Sequence, residues 1–142
     1  MIVLDTNIIS VLMNPKHPDQ PIIGAWRLTL GDEVARITTI SMSEILLGIA
    51  IMPLGNKRQR LETAANRFFS SGAALNFDEA AALAYVEIVS TRREHGRPIP
   101  ILDAQIAAIA RANGATVATR NVRDFEDCGV ALVNPYSSAP VV

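Results

Sequence analysis

Short apolar runs alternate with segments of helical period along the whole chain. The first run, Ile2 to Leu4, is wholly apolar, which is typical of a strand buried on both faces of a sheet. Another run, 33–39, alternates in the manner of a half-buried strand. The sequence predicts five strands, at 2–4, 33–39, 73–77, 116–119 and 130–133.

The segments between these strands have the apolar spacing of helices. Proline or glycine follows several of them, as at Pro53, Gly96 and Gly114, and these residues end helices. The predicted helices span 7–13, 20–30, 41–52, 55–71, 78–95 and 103–113. Strands separated mostly by helices predict a parallel sheet with helices on both faces. We therefore expect an α/β fold of about five strands and a single domain over 1–142.

The composition adds two constraints on partners. The net charge of −1 excludes a broad basic face, so any contact with phosphate must be local. The candidate patches are 57–60, Arg92 and Arg93 with Arg97, and Arg120 with Arg123. Runs of charge on helices are also typical of faces that are simply exposed to solvent. A hydrophobic content of 49% is high for a small monomer. Some apolar surface is therefore expected to face a partner.

The cysteine count and the apolar runs bear on the compartment. Cys128 is the only cysteine, which excludes an internal disulfide and a thiolate zinc site built by this chain alone. The first residues lack a cationic leader, and the longest apolar stretch, 45–54, is interrupted by Pro53 and is too short to span a bilayer. We expect a soluble cytoplasmic protein without a membrane partner.

Four acidic residues follow predicted strands or begin predicted helices and turns: Asp5, Glu44, Asp103 and Asp124. Parallel strands place their carboxyl ends at one edge of the sheet, so these carboxylates are expected to share a crevice. Clustered carboxylates repel one another, and a hard divalent cation such as Mg²⁺, or Mn²⁺ in its place, removes that conflict. The pattern indicates a metal-dependent phosphodiester enzyme, with Asp5 and Asp103 as ligands and Glu44 and Asp124 completing the shell directly or through water.

Each acid taken alone also has an ordinary structural explanation. Asp5 could cap the helix that follows it, and Ser41 with Glu44 fits a capping box. Asp103 suits the first turn of a helix, and Asp124 suits a tight turn. The joint placement of the four acids favours the shared crevice.

Four segments carry a resemblance to a known family: Leu4-Asp5-Thr6-Asn7, Ser43-Glu44, 103–108 and 118–125. In this order and spacing they resemble a PIN domain, and most closely the VapC and FitB-like toxins of type II toxin-antitoxin pairs. The resemblance covers nearly the whole chain. Some members of the family carry the fourth acid where this chain has Asn121, which leaves direct ligation by Asp124 open.

The resemblance implies a magnesium-dependent ribonuclease whose metal is held by Asp5, Glu44, Asp103 and Asp124. It also implies an RNA substrate, with tRNA among the candidates, a cognate DNA-binding antitoxin, and a homodimer. Hydrolysis by an activated water would leave a 5′-phosphate and a 3′-hydroxyl. The polar residues that would orient the carboxylates or waters are Thr6, Asn7, Thr119 and Asn121, and Arg120 and Arg123 would contact phosphate.

Two other functions remain open at this point. In the first, Asp5 accepts a phosphoryl group, although such domains usually carry an acid at the place of Asn7. In the second, the acids only cap helices and the chain is a catalytically silent interaction module.

Overall fold

The computed structural model describes residues 1–70, 72 and 74–137, in which strands and helices alternate broadly as the sequence predicts. The elements, in chain order, are β1 (Ile2–Leu4), α1 (Thr6–Met13), α2 (Gln20–Thr29), β2 (Ala35–Arg36), α3 (Thr39–Ala50), α4 (Asn56–Ser70), α5 (Glu79–Glu94), α6 (Ile101–Ala112), β3 (Thr116–Ala118), a 3₁₀ turn (Val122–Phe125) and β4 (Leu132–Val133).

The described strands form one parallel sheet in the order β2-β1-β3-β4. Ile2 pairs with Ala35 on one side and with Thr116 on the other, so β1 is central. All three residues of β1 are buried. The predicted α/β class with a parallel sheet is confirmed.

Helices cover both faces of the sheet, as predicted. Val3 packs into a core with α5 and α6, which contribute Ile88 and Ile106. Its neighbours Ile2 and Leu4 pack into the opposite core, formed with α1 to α4. Successive side chains of a strand point to opposite faces, which explains why this strand has no polar position.

One predicted strand, 73–77, is reduced to a single isolated parallel bridge between Leu75 and Thr38, while Ala73 lies outside the described residues. The bridge comprises the bonds from Leu75 N–H to Ile37 O and from Thr39 N–H to Leu75 O. Pairing stops there because α3 begins at Thr39 and leaves no extended partner. The described sheet therefore has four strands in place of about five.

The apolar surplus is exposed mainly at the end of α3 and on the pair α5 and α6. Leu47, Ile51 and Leu54 are 63%, 75% and 87% exposed, and Leu83 and Ile101 are 66% and 65% exposed. The described part of α4 exposes no large apolar side chain. Apolar surface that could face a partner is therefore present at these two places, as the composition predicts.

No described helix combines the length and apolarity that crossing a membrane requires.

Candidate functional site

Asp5 is fixed by the two neighbouring central strands. It follows β1 and caps α1, with Oδ1 accepting from Thr6 N–H at 2.8 Å. Its Oδ2 accepts from the hydroxyl of Thr119, which follows β3, at 2.8 Å. Asp5 is buried and Thr119 is fully buried. Asp5 therefore caps α1, as its ordinary structural explanation predicts. The cap uses only Oδ1, and Oδ2 is bound by Thr119 at the carboxyl end of the strands.

Glu44 is held by a chain of hydroxyl groups. Its Oε1 accepts from the Thr6 hydroxyl at 2.9 Å, and the Thr6 Oγ1 also lies 2.9 Å from Ser41 Oγ. Ser41 is fully buried and sits in the first turn of α3, where its N–H donates to Oγ1 of the capping residue Thr38 at 3.1 Å. The capping-box explanation is wrong, because the helix begins two residues earlier and Glu44 faces α1.

Asp103 lies in the first turn of α6, which starts directly after Pro100. The sequence predicts that this helix begins at Asp103, whereas residues 101 and 102 are already helical. Burial, together with the nearby carboxylates of Asp5, Asp124 and Glu44, raises the pKa of Asp103 to about 6. Asp103 therefore lies within electrostatic range of the three other candidate acids.

The burial of Asp5 likewise raises its pKa, and the nearby Asp124 carboxylate adds to this. The hydrogen bonds from Thr119 and Thr6 oppose the shift, because they stabilise the ionised form. The four acids thus form one electrostatically coupled group, with Asp5 and Asp103 as its more buried members.

Asp124 belongs to the exposed 3₁₀ turn, and its main chain is held by a buried arginine. Arg92 Nη1 donates to Asp124 O at 2.8 Å and to Glu126 O at 3.0 Å, and Nε donates to Arg97 O at 2.6 Å. Arg92 is only 4% exposed. The prediction that Arg92 belongs to a surface patch is therefore wrong. The sequence shows only a basic pair in the last turn of a helix, and such a pair does not indicate that one guanidinium is buried.

The remaining predicted residues differ in their surroundings. Asn7 and Asn121 are exposed, and their side chains have no hydrogen-bond partner among the described residues, although Asn121 N–H donates to Thr119 Oγ1 at 3.0 Å. Arg120 stacks over the Tyr136 ring, 4.5 Å from its centroid, and lies 3.6 Å from an Asp19 carboxylate oxygen. Arg123 is exposed. Phosphate contact by either arginine stays a prediction.

The donor set suits a hard divalent cation. Within the described residues, no three Asp, Glu, His or Cys side chains are close enough together to form a complete metal site. Oxygen donors that repel one another are nevertheless the groups that Mg²⁺ and Mn²⁺ stabilise. The residues present therefore fit such an ion by their chemistry, and ligation would require the side chains to move closer together.

The raised pKa of Asp103 predicts a pH-dependent stability of the metal-free protein. Unfolded Asp103 would titrate near 3.8 and folded Asp103 near 6, so stability falls as pH rises from about 4 to about 6 and stays lower above that range. Asp103→Asn removes the titrating carboxyl group and therefore also this loss of stability. We expect the variant to melt above wild type at pH 7 in chelator, with the difference vanishing near pH 4, in thermal unfolding followed by circular dichroism. An equal difference at both pH values would contradict the prediction.

Comparison with known proteins gives consistent matches over nearly the whole chain. The PIN domain family profile matches residues 2–130. The toxin FitB of Neisseria gonorrhoeae is 37% identical over 96% of this chain and 99% of its own length. The VapC ribonuclease Y4jK of Sinorhizobium fredii is 36% identical over 98% of this chain and 100% of its own length. The structure of FitAB bound to an IR36 DNA fragment superposes with a TM-score of 0.84, at 36% identity, covering 98% of both chains.

Proposed function

This chain belongs to the PIN domain family, and from that we propose that it is the toxin of a type II toxin-antitoxin pair and hydrolyses RNA with a divalent metal ion. The observation that carries the proposal is the electrostatic coupling of Asp103 to Asp5, Glu44 and Asp124. The names of the relatives, a toxin and a ribonuclease, support the same activity. We also propose that residues 1–142 form one PIN domain.

In this proposal Asp5 and Asp103 hold Mg²⁺ or Mn²⁺, and Glu44 and Asp124 complete the shell directly or through water. When bound, the ion would lower the pKa of a water molecule and neutralise charge that develops on the phosphate. The protein contributes orientation, because Thr119 and the Thr6 amide fix both oxygens of Asp5.

The polar residues around the acids would have separate roles. The Thr6 hydroxyl, held beside Ser41, keeps Glu44 turned toward α1. Asn7 and Asn121, which are exposed at the two sides of Asp5 and Thr119, would orient waters or substrate. Arg120 and Arg123 would contact phosphate beside Asp124.

The partners of the proposed toxin are RNA, a cognate antitoxin and a second copy of the chain. The FitAB complex on DNA supports an antitoxin that also binds DNA. The exposed apolar residues at the end of α3 and on α5 and α6 offer surface for the two protein contacts. A toxin that cuts cellular RNA would act in the cytoplasm.

The test is incubation of the purified protein with total cellular RNA in Mg²⁺, in Mn²⁺ and in chelator, followed by mapping of the cut ends. We expect cleavage only with a metal ion, and 5′-phosphate and 3′-hydroxyl ends. A 2′,3′-cyclic phosphate would overturn the mechanism, because it requires attack by the ribose hydroxyl. Absence of cleavage, together with Mn²⁺ binding that Asp5→Asn leaves unchanged in calorimetry, would indicate the silent interaction module.

Thr119→Val should reduce both Mn²⁺ affinity and cleavage by about 10- to 100-fold. Valine keeps the shape of threonine but removes the hydroxyl that donates to Asp5 Oδ2. Thr116→Val is the matched control, because Thr116 begins β3, the strand that Thr119 follows, and its side chain has no hydrogen-bond partner in the described structure. Calorimetry and single-turnover cleavage measure the two effects, and equal behaviour of both variants would contradict the role given to Thr119.

A further inference from the structure

A groove runs from the acidic site across the ends of α1 and α3 to α4. Its first part, a cavity of about 400 Å³, is lined by Thr6 and Glu44 at one end. Its second part, of about 430 Å³, shares Met13, Asn14 and Leu61 with the first. The two cavities are therefore adjacent, and we treat them as one groove, one end of which is the hydrogen-bonded pair Thr6 and Glu44 of the acidic site.

The second part of the groove is rimmed by three cations, Lys16, Lys57 and Arg60. None of the three has an acidic partner within ion-pair distance in the part of the chain that the structure describes. Arg58, which lies between two of them in sequence, differs because its Nε donates to Glu62 at 2.7 Å. The basic run at 57–60 thus separates into one internal ion pair and two side chains directed to the groove.

The floor and the far end of the groove have different chemistry. Met13, Leu61 and Ala64 give the basic part an apolar floor. Beyond Arg60, a third cavity is lined by the amide side chains of Asn56 and Gln59 and by Thr63. A rim of cations over an apolar floor suits a strand whose bases are unstacked, since the base faces are apolar and the backbone is anionic.

The loop that carries Lys16 is ordered by its own hydrogen bonds. Asn14 Oδ1 accepts from Lys16 N–H at 3.1 Å, and Gln20 Nε2 donates to Val11 O at 2.9 Å. These bonds fix the loop against the end of α1 before any ligand binds. The backbone that carries Lys16 therefore needs no ordering on binding, which lowers the entropic cost.

We propose that this groove binds the backbone of single-stranded RNA on one side of the scissile phosphate, with Lys16, Lys57 and Arg60 as phosphate contacts. The inference rests on the proposed ribonuclease function. A site built from four carboxylates repels RNA, so a chain of net charge −1 needs nearby cations to hold the strand. An acidic protein segment would also match the rim, but the position of the groove next to the candidate phosphodiester site favours RNA.

The test compares two charge-matched double variants by fluorescence anisotropy with a labelled single-stranded RNA of mixed sequence, in chelator so that no cleavage occurs. Lys57→Gln with Arg60→Gln removes two groove cations, while Arg27→Gln with Arg93→Gln removes two exposed arginines outside the groove. We expect the groove variant to lose about 10-fold in affinity and its slope of log K against log salt to fall by about 1.4, since each lost contact removes about 0.7. The control should keep the wild-type slope.

The outcomes separate the groove from the function. If the groove variant binds and cleaves RNA like wild type, the groove proposal is overturned and the ribonuclease proposal stays intact. The same holds if the control variant loses as much RNA affinity as the groove variant. Loss of binding to the purified antitoxin with an unchanged RNA slope assigns the groove to the protein partner and also overturns it. A wild-type protein that neither binds nor cleaves RNA overturns both proposals. All four substituted side chains are exposed, and thermal melts will verify that both variants are folded.

Discussion

Asp5→Asn is expected to lower RNA cleavage by at least about 100-fold while leaving the fold intact. Asparagine keeps an acceptor for Thr6 N–H, so the cap of α1 survives. It removes the negative charge that would bind the metal ion. If its oxygen accepts from Thr6 N–H, its NH₂ group faces the Thr119 hydroxyl and cannot accept from it. Because burial disfavours the ionised form of Asp5, the variant should also melt at or above the wild-type temperature at neutral pH.

Asp78→Asn is the control for this prediction. Asp78 caps α5 by accepting from Ala81 N–H at 2.9 Å, which is the same structural role that Asp5 has for α1. It is not among the acids that affect the pKa of Asp103. Single-turnover cleavage should therefore be unchanged in Asp78→Asn. Of the two variants, only Asp78→Asn should bind Mn²⁺ in a titration, as wild type does. Comparable cleavage by both variants would remove Asp5 from the reaction.

Arg92→Met is expected to lower the free energy of unfolding by about 3 kcal/mol or more, because the carbonyls of Arg97, Asp124 and Glu126 lose their donors. The same loss frees the turn that carries Asp124, so cleavage should fall even at temperatures where the variant is folded. Urea denaturation measures the first effect, and cleavage at low temperature measures the second.

Arg93→Met provides the comparison, since Arg93 is the exposed neighbour on the same helical turn. Its substitution should change the free energy of unfolding by no more than about 0.5 kcal/mol. If both variants are equally stable, the guanidinium of Arg92 does not hold the turn. If Arg92→Met is unstable but cleaves normally when folded, the position of Asp124 does not matter for the reaction.

The strands could be predicted where the local apolar pattern agrees with the pairing that each strand makes with distant strands. Ile2 to Leu4 is apolar at every position because both faces of β1 are covered. The segment 73–77 has similar composition, but the length of its pairing depends on where α3 begins. The sequence around Thr38 offers several hydroxyl residues that could cap a helix, so neither that start nor the short bridge could be read from it.

The candidate site shows the same division. The order and spacing of the acids predict that they lie near one another, and Asp5, Glu44 and Asp124 are close enough to raise the pKa of Asp103, which lies in the first turn of α6. The buried Ser41 could not be assigned, because its partner Thr6 lies 35 residues away. Arg92 was missed for a similar reason: its acceptors are carbonyl groups, which every residue carries.

The choice of acceptors by Arg92 has a consequence for how this member of the PIN domain family could change over time. Arg92 holds the 3₁₀ turn through the carbonyls of Asp124 and Glu126 and does not depend on their side chains. The Glu126 carboxylate, in contrast, accepts from Arg97 Nη2 at 3.1 Å. Mutation of Asp124 would therefore alter the charge beside the other acids without removing the backbone bonds of Arg92. Position 124 is a place where natural variation or directed evolution can exchange an acid at little cost in folding, provided that Arg92 is kept.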